Sequence, residues 1–255
     1  MISYLAPGYP AELFERIGAH IGAEVSFDTN RSGPEPDDDP FADGRADVGW
    51  ICSTAFVELT TDRAPSVREL GVAWVPDDPD AVGRPVYFSD VIVTANSTAS
   101  SLDDLTGAHI GCNDPASLSG YHSLRIELGR RGQTIDEVAH IEMTGGHHAS
   151  LDRLIDGSLE AAVIASVVLR TRRRAAPAVT ALRIVERLGP WPTQPMVVRS
   201  DMPDSDIGLI RDAVLRANDD PAVAALMRSA SLTSLVRTGV DHCGPVRAAM
   251  RATAR

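Results

Sequence analysis

The chain has 255 residues, 44% of them hydrophobic, which is enough to bury one large core or two smaller ones. Its formal net charge of −11 excludes a general attraction to nucleic acid or to an anionic membrane surface, because either needs a basic face. Lysine is absent altogether, which removes Schiff-base chemistry, pyridoxal phosphate anchoring and a P-loop lysine.

Short apolar runs alternate with amphipathic stretches, the pattern of an α/β protein with mainly parallel strands. Residues 2–5 read as a first strand. After the turn residues Pro7, Gly8 and Pro10, Leu13, Ile17 and Ile21 recur at helical spacing, and a second strand is predicted over 25–27. Residues 33–40 are dense in proline and aspartate without periodicity and read as a surface loop. Strands follow at 48–52, 70–75 and 86–94, with a short helix starting at Ser53.

From Ser101 the alternation restarts. A short helix at 102–105 and a strand at 109–112 lead to a helix from Ser119 with Tyr121, Leu124 and Leu128 on one face. A strand at 140–143, a helix carrying Leu151, Leu154 and Ile155 and ended by Gly157, and a strand at 161–165 complete this set. The run Arg170 to Arg174, broken only by Thr171, reads as a solvated helix end that complements the macrodipole. Residues 189–195 read as a proline-rich connection, followed by a strand at 196–198 and a helix capped by Asp204 or Ser205 with Ile207, Ile210 and Val214 on its apolar face. This organisation predicts two lobes. Residues 1–90 and 195–255 form lobe 1, residues 91–194 form lobe 2, and the crossings fall near 88–95 and 189–196 with a cleft between the lobes.

Chemistry concentrates at two strand-to-helix turns. In the first, Asp114-Pro115-Ala116-Ser117-Leu118-Ser119-Gly120-Tyr121, free backbone N–H groups, the positive end of the helix dipole and two hydroxyls would make an anion site that needs no basic side chain. By spacing alone, Ser117 or Ser119 serves equally as an ordinary N-cap. In the second, Gly145-Gly146-His147-His148-Ala149, the glycines permit close backbone approach and an imidazole could donate to an oxyanion or simply cap the helix. Adjacent histidines point about 100° apart on a helix, so no metal site is indicated, and no cofactor motif is present. The three cysteines, Cys52, Cys112 and Cys243, lack metal or disulfide spacing and read as buried, inert thiols.

The first turn resembles the D-P-x-S-x-S-G-Y signature of the phosphate, phosphite and phosphonate substrate-binding proteins of ABC transporters. Gly145 to Ala149 is similar to their G-S-H-x-A turn, and Gly157-Ser158-Leu159-Glu160-Ala161-Ala162 to their G-x-x-D-A-A segment. Gly44 to Trp50, Tyr87-Phe88-Ser89-Asp90 and Gly189-Pro190-Trp191-Pro192 extend the resemblance, in the family's order, over almost the whole chain. It implies a type II periplasmic-binding fold, two α/β lobes that close on a ligand. It also implies oxyanion contacts from Ser117, Leu118 through its backbone, Ser119 and Gly120, joined by Tyr87 and His147, with Tyr9, Ser53 and Thr54 as cleft residues of the first lobe. For Tyr9 and Ser53, turn or capping roles fit as well. Two positions depart from the family: glycine at 146 stands where serine is usual, and Ile164-Ala165-Ser166 lacks the acid that relatives often carry.

The function expected is therefore capture of a small anionic, phosphate- or phosphonate-like ligand without cofactor or covalent chemistry, with an ABC permease as partner and neither nucleic-acid binding nor membrane insertion. A cytosolic enzyme using His147, His148 and Asp90 as acid-base groups, or a ligand sensor, are the other readings; spacing identifies no nucleophile-base pair. The start lacks a basic flank and apolar signal core, so the chain as written reads as cytoplasmic, or as extracytoplasmic if the start has been trimmed.

Overall fold

The apolar runs are too short for helices and pair as strands, while the amphipathic stretches between them pack as helices. In the computed structural model, which describes every residue except 6, 7, 36, 62, 63, 240, 254 and 255, the strands are β1 (Ile2–Ser3), β2 (Ser26–Phe27), β3 (Val48–Trp50), β4 (Val67–Glu69), β5 (Val72–Pro76), β6 (Val86–Val93), β7 (His109–Cys112), β8 (His140–Met143), β9 (Ala161–Ala165), β10 (Arg183–Pro192), β11 (Met196–Arg199) and β12 (Leu232–Arg237). Pro7 and Pro36, read above as turn and loop residues, lie outside the described residues.

The chain divides into two compact units. Unit 1 comprises Met1–Val86 and Pro192–Arg247, and unit 2 comprises Tyr87–Trp191 and Ala248–Arg255, whereas the sequence reading kept 195–255 together. Unit 1 holds a sheet of order β2-β1-β3-β11-β4, in which β1 pairs parallel with β2 and β3 and β11 runs antiparallel to β3 and β4. A second, two-stranded sheet pairs β12 antiparallel with β5. The strand predicted over 70–75 corresponds to β5, and β4 just before it, which the sequence reading missed, lies in a different sheet. They part at Gly71, whose φ of 79° lies in the left-handed region that glycine enters without steric cost. The core of this unit is aromatic: Trp50 and Trp74 stack at 4.1 Å, and Phe14 meets both edge-on. Each such pair adds about 0.5–1.5 kcal/mol beyond the area it buries.

Unit 2 is built on one sheet of order β10-β6-β9-β7-β8. β7 pairs parallel with β8 and β9, and β6 returns antiparallel to β9. The inward face of β6, Val91 and Val93, packs with Ile110, Leu124, Leu128, Ala161, Val163 and Leu188 in a buried apolar cluster.

Several predicted boundaries shift for identifiable reasons. The helix expected from Ser119 begins as a π turn, Leu118–His122, and becomes regular only over Ser123–Arg130. The helix over His147–Ile155 buries Leu151 and Leu154 but leaves Ile155 at 40% exposure. Asp204 and Ser205 lie inside the first turn of the helix Asp204–Arg216, which Pro203 precedes as cap residue. The helix predicted at 102–105 is a 3₁₀ turn, Asp103–Leu105. The connection predicted at 189–195 is strand as far as Pro192, because β10 occupies the sheet edge, where a missing proline N–H breaks no central ladder. Among the described residues no helix is long and apolar enough to cross a membrane.

Among the described residues two non-glycines, Val82 and Ser231, have φ in the left-handed region. Val82, 75% exposed, has a φ of 53°, a region that costs a β-branched residue about 1–2 kcal/mol. Val82→Asn keeps the turn with a residue that tolerates this conformation. The midpoint of urea unfolding should rise by the equivalent of about 1 kcal/mol.

Candidate functional site

In an open α/β sheet the carboxyl ends of parallel strands open onto helix starts, and ligands bind there. In unit 2 the sheet register brings three segments to that edge. β7 ends at Cys112 and β8 at Met143, directly paired, and the pairing continues into the loops through Thr144 N–H to the Cys112 carbonyl at 2.8 Å and Gly145 N–H to the Asn113 carbonyl at 2.8 Å. β6 enters at the same edge, because Ser89 lies opposite Ala165, the last residue of β9. The Ser117 turn, the Gly145-Gly146-His147 turn and the Tyr87-to-Ser89 segment are thereby neighbours.

The first turn is shaped by Ser117, extended at φ −76° and ψ 127°, whose Oγ accepts the Gly120 N–H at 3.1 Å. The next bonds span five residues, from His122 N–H to the Ser117 carbonyl at 2.9 Å and from Ser123 N–H to the Leu118 carbonyl, which widens the turn into a π form. Such single π turns recur at functional sites. The widening also lets another side chain in: Asn113 Oδ1 lies where a Gly120 Cβ would be, 1.2 Å from the ideal position. Gly120 is required here by direct steric exclusion.

A buried serine network holds the turn from below. Ser89 donates to the Ser119 carbonyl, and Ser123 donates to Ser89 Oγ at 2.7 Å. Both serines are fully buried. On the open side, Ser119 Oγ and His147 Nε2 are 3.2 Å apart. Burial, and next the neighbouring His148, lower the His147 pKa from 6.5 to about 4, against the Val163 backbone, which favours the protonated ring. His122 behaves alike: burial first, then Arg125, lower it to about 4 against a bond to the Pro115 backbone. Both imidazoles are neutral at neutral pH.

Unit 2 thus brings together Ser117, Leu118, Ser119, Gly120, His147 and, on the Ser89 face of β6, the fully buried Tyr87. The unit 1 candidates are placed otherwise. Tyr9 stacks on Trp74 at 6.0 Å with its hydroxyl 3.5 Å from Gln194 Oε1, and burial pushes its pKa up. Ser53 and Thr54 are fully buried in the first turn of the helix Ser53–Leu59, Thr54 Oγ1 bonding Cys52 Sγ at 3.2 Å. Strand alternation turns Asp90 away from Ser89, to a 3.2 Å ion pair with Arg187, so Asp90 and His147 do not share a site. All three cysteines are buried, and burial pushes the Cys112 thiol up to about 12. Gly146 is extended, with a φ of 170°, and a Cβ there would meet nothing within 4 Å, so the backbone would accommodate the serine that is usual in the resembling family. Ser166, at the position lacking the acid, accepts the Phe88 N–H at 3.2 Å.

Sequence reading missed Asn113, Ser89 and Ser123. Their signals were a serine on the inward face of an otherwise apolar strand and a Ser119/Ser123 spacing of four, both easily taken as incidental. Charge also separates by unit. Unit 2 carries twelve Asp and Glu against twelve Arg, whereas unit 1 carries twenty-three against twelve, so the whole net charge of −11 resides in unit 1.

The family model described as the periplasmic phosphonate substrate-binding protein of ABC transporters matches residues 11–242. No curated protein matches the sequence. Similar solved structures include the binding-protein component of an ABC phosphonate transporter from Pseudomonas aeruginosa, with a TM-score of 0.75, 16% identity and coverage of 99% of this chain and 85% of that one. PhnD1 of Prochlorococcus marinus in complex with methylphosphonate gives 0.74 at 13% identity, covering 94% and 90%. A Xanthomonas citri protein bound to ATP gives 0.73 at 17% identity, covering 99% and 97%. At these identities the structural likeness establishes the fold, two-lobed as in periplasmic binding proteins.

Two outcomes follow from the site's geometry. Gly120→Ala should destabilise the protein or abolish its folded expression, and Asn113→Ala, which removes the obstructing carbonyl, should restore much of the loss; a double-mutant cycle in urea measures the coupling. The second concerns acid. The folded-state pKa values of His122 and His147 lie below the unfolded value of 6.5, so the unfolded chain takes up protons first. Their contribution is complete above pH 6.5 and is lost as pH falls towards about 4. The loss should be on the order of 3 kcal/mol per imidazole. Urea midpoints at neutral and acidic pH check this, and His122→Gln should lose less between them.

Proposed function

The chain belongs to the family of periplasmic substrate-binding proteins of phosphonate ABC transporters, and on that premise we propose that the Ser117–Gly120 turn of unit 2 is the grip for a phosphonate-like oxyanion. Family membership implies a small ligand and a permease partner. The observation that carries the anionic ligand is the convergence, at one carboxyl edge of the unit 2 sheet, of a π turn, two serine hydroxyls and the start of a second helix.

The chemistry suits an anion in an acidic protein. N–H groups at a helix start have no intrahelical acceptor, and the dipole adds positive potential there. Ser117 Oγ already accepts from Gly120, which leaves its hydroxyl proton for the ligand. Ser119 meets the ligand through its hydroxyl and Tyr87 adds a phenolic contact. Unit 2 is electroneutral, so the anion meets no net repulsion from the unit that grips it. Tyr9, Ser53 and Thr54 are packed into the unit 1 interior.

Calorimetry against methylphosphonate, phosphate, phosphite and sulfate tests the proposal. Methylphosphonate should bind and raise the melting temperature in proportion to its concentration. Ser117→Ala and Ser119→Ala should each weaken it about tenfold or more, a loss of about 1.4 kcal/mol or greater. The absence of heat and of thermal shift with every oxyanion would refute the grip.

A further inference from the structure

Away from the oxyanion turns, unit 2 carries a second grouping of ligand-capable side chains, at the amino ends of its central strands. β7 begins at His109 and β8 at His140, and the parallel register pairs these two residues directly. Register partners project from the same face of a sheet, so the two imidazoles stand side by side. Their ring centres are 5.1 Å apart with the planes 36° from parallel, and both residues are exposed. Among the described residues each ring's contact is the other ring, and neither is hydrogen-bonded or ion-paired.

Packing does not account for the pair. The alternate residues Ile110, Cys112 and Ile141 serve the buried cluster on the other face, and the two histidines add nothing to it. Metal chelation does fit the geometry. Two imidazoles bonded to one ion at about 2.0–2.1 Å, at a roughly tetrahedral angle, have ring centres about 5 Å apart. The observed separation matches that arrangement, and it is set by backbone register rather than by other side chains. Imidazole suits copper, nickel and zinc, with affinity highest for Cu²⁺, whereas Mg²⁺ and Ca²⁺ take oxygen ligands.

We propose that His109 and His140 form a bidentate surface site for a divalent late transition metal ion, with Cu²⁺ held most tightly and water completing the coordination. No group of three ligating side chains converges among the described residues, so the protein supplies two ligands. The charges nearby favour a cation. Glu160, just before β9 on the neighbouring strand, accepts the His109 N–H through Oε2 at 2.9 Å and brings a carboxylate to the same edge. Arg153, from the helix His147–Ile155, is paired with Glu142 of β8 at 2.7 Å. The pair lies at the opposite ends of β7 and β8 from the Ser117 and His147 turns, and the proposal does not depend on the oxyanion reading.

Copper titration of the full chain at neutral pH in a non-coordinating buffer, followed by electron paramagnetic resonance, tests this. The first equivalent of Cu²⁺ should show hyperfine coupling to two imidazole nitrogens. His109→Gln and His140→Gln, both at exposed positions, should each weaken that binding about 100-fold or more, since a single ligand loses the chelate advantage. His20→Gln, at an exposed histidine of unit 1 that pairs with Asp220, should leave it unchanged. Ni²⁺ should raise the urea midpoint of the native chain and not that of either unit 2 variant, because the two rings meet only when β7 and β8 are paired. A first equivalent bound through one imidazole or none, or equal affinity in the two single variants and the native chain, overturns the proposal.

Discussion

The hydrogen bond from the buried Ser89 hydroxyl to the Ser119 carbonyl is the constraint on which the unit 2 site depends. It ties the middle of a helix start to the middle of a β-sheet, so the peptide plane between Ser119 and Gly120 cannot turn without breaking a buried polar contact. The opposite end of that plane is the Gly120 N–H, held by Ser117 Oγ. Asn113 fills the space above Gly120 Cα, and Ser123 completes the network beneath. The turn therefore takes a π form, wider than the α-helix that follows, because its partners lie where a regular helix would not place them.

Such preorganisation matters because this protein has few other means of holding an anion. It has no lysine, and its surplus of carboxylates resides in unit 1. The imidazoles next to the turn are neutral. The Ser117–His122 turn itself carries no arginine, so the groups acting there are dipoles: amides, hydroxyls and a helix start, whose strength depends on orientation rather than on charge. A fixed set of dipoles also discriminates, since each oxygen or nitrogen presents either a proton or a lone pair and a ligand must match the pattern.

Much of the architecture was legible in the chain. The strands at 109–112, 140–143 and 161–165 and the helices between them follow from apolar periodicity, because a buried parallel strand must be nearly all apolar and its crossover helix must have one apolar face. Where reading failed, the cause was tertiary. Residues 67–76 form two strands because Gly71 turns left-handed and the halves find different partners, β11 and β12. β10 keeps its prolines because it lies at an edge, and edge position is invisible until the sheet order is known.

The candidate site divides in the same way. Local sequence was sufficient for the Ser117–Gly120 turn, since a strand end, a proline, two serines and a glycine are a self-contained instruction for starting a helix. It was also sufficient for a glycine-rich turn ahead of His147. The direction of each hydroxyl is another matter. That Ser119 lies beside His147 and that Ser89 and Ser123 support the turn are contacts between residues 28 to 34 apart in the chain. A hydrogen bond is specified by the relative placement of donor and acceptor to within a few tenths of an ångström, and only the folded sheet supplies that placement.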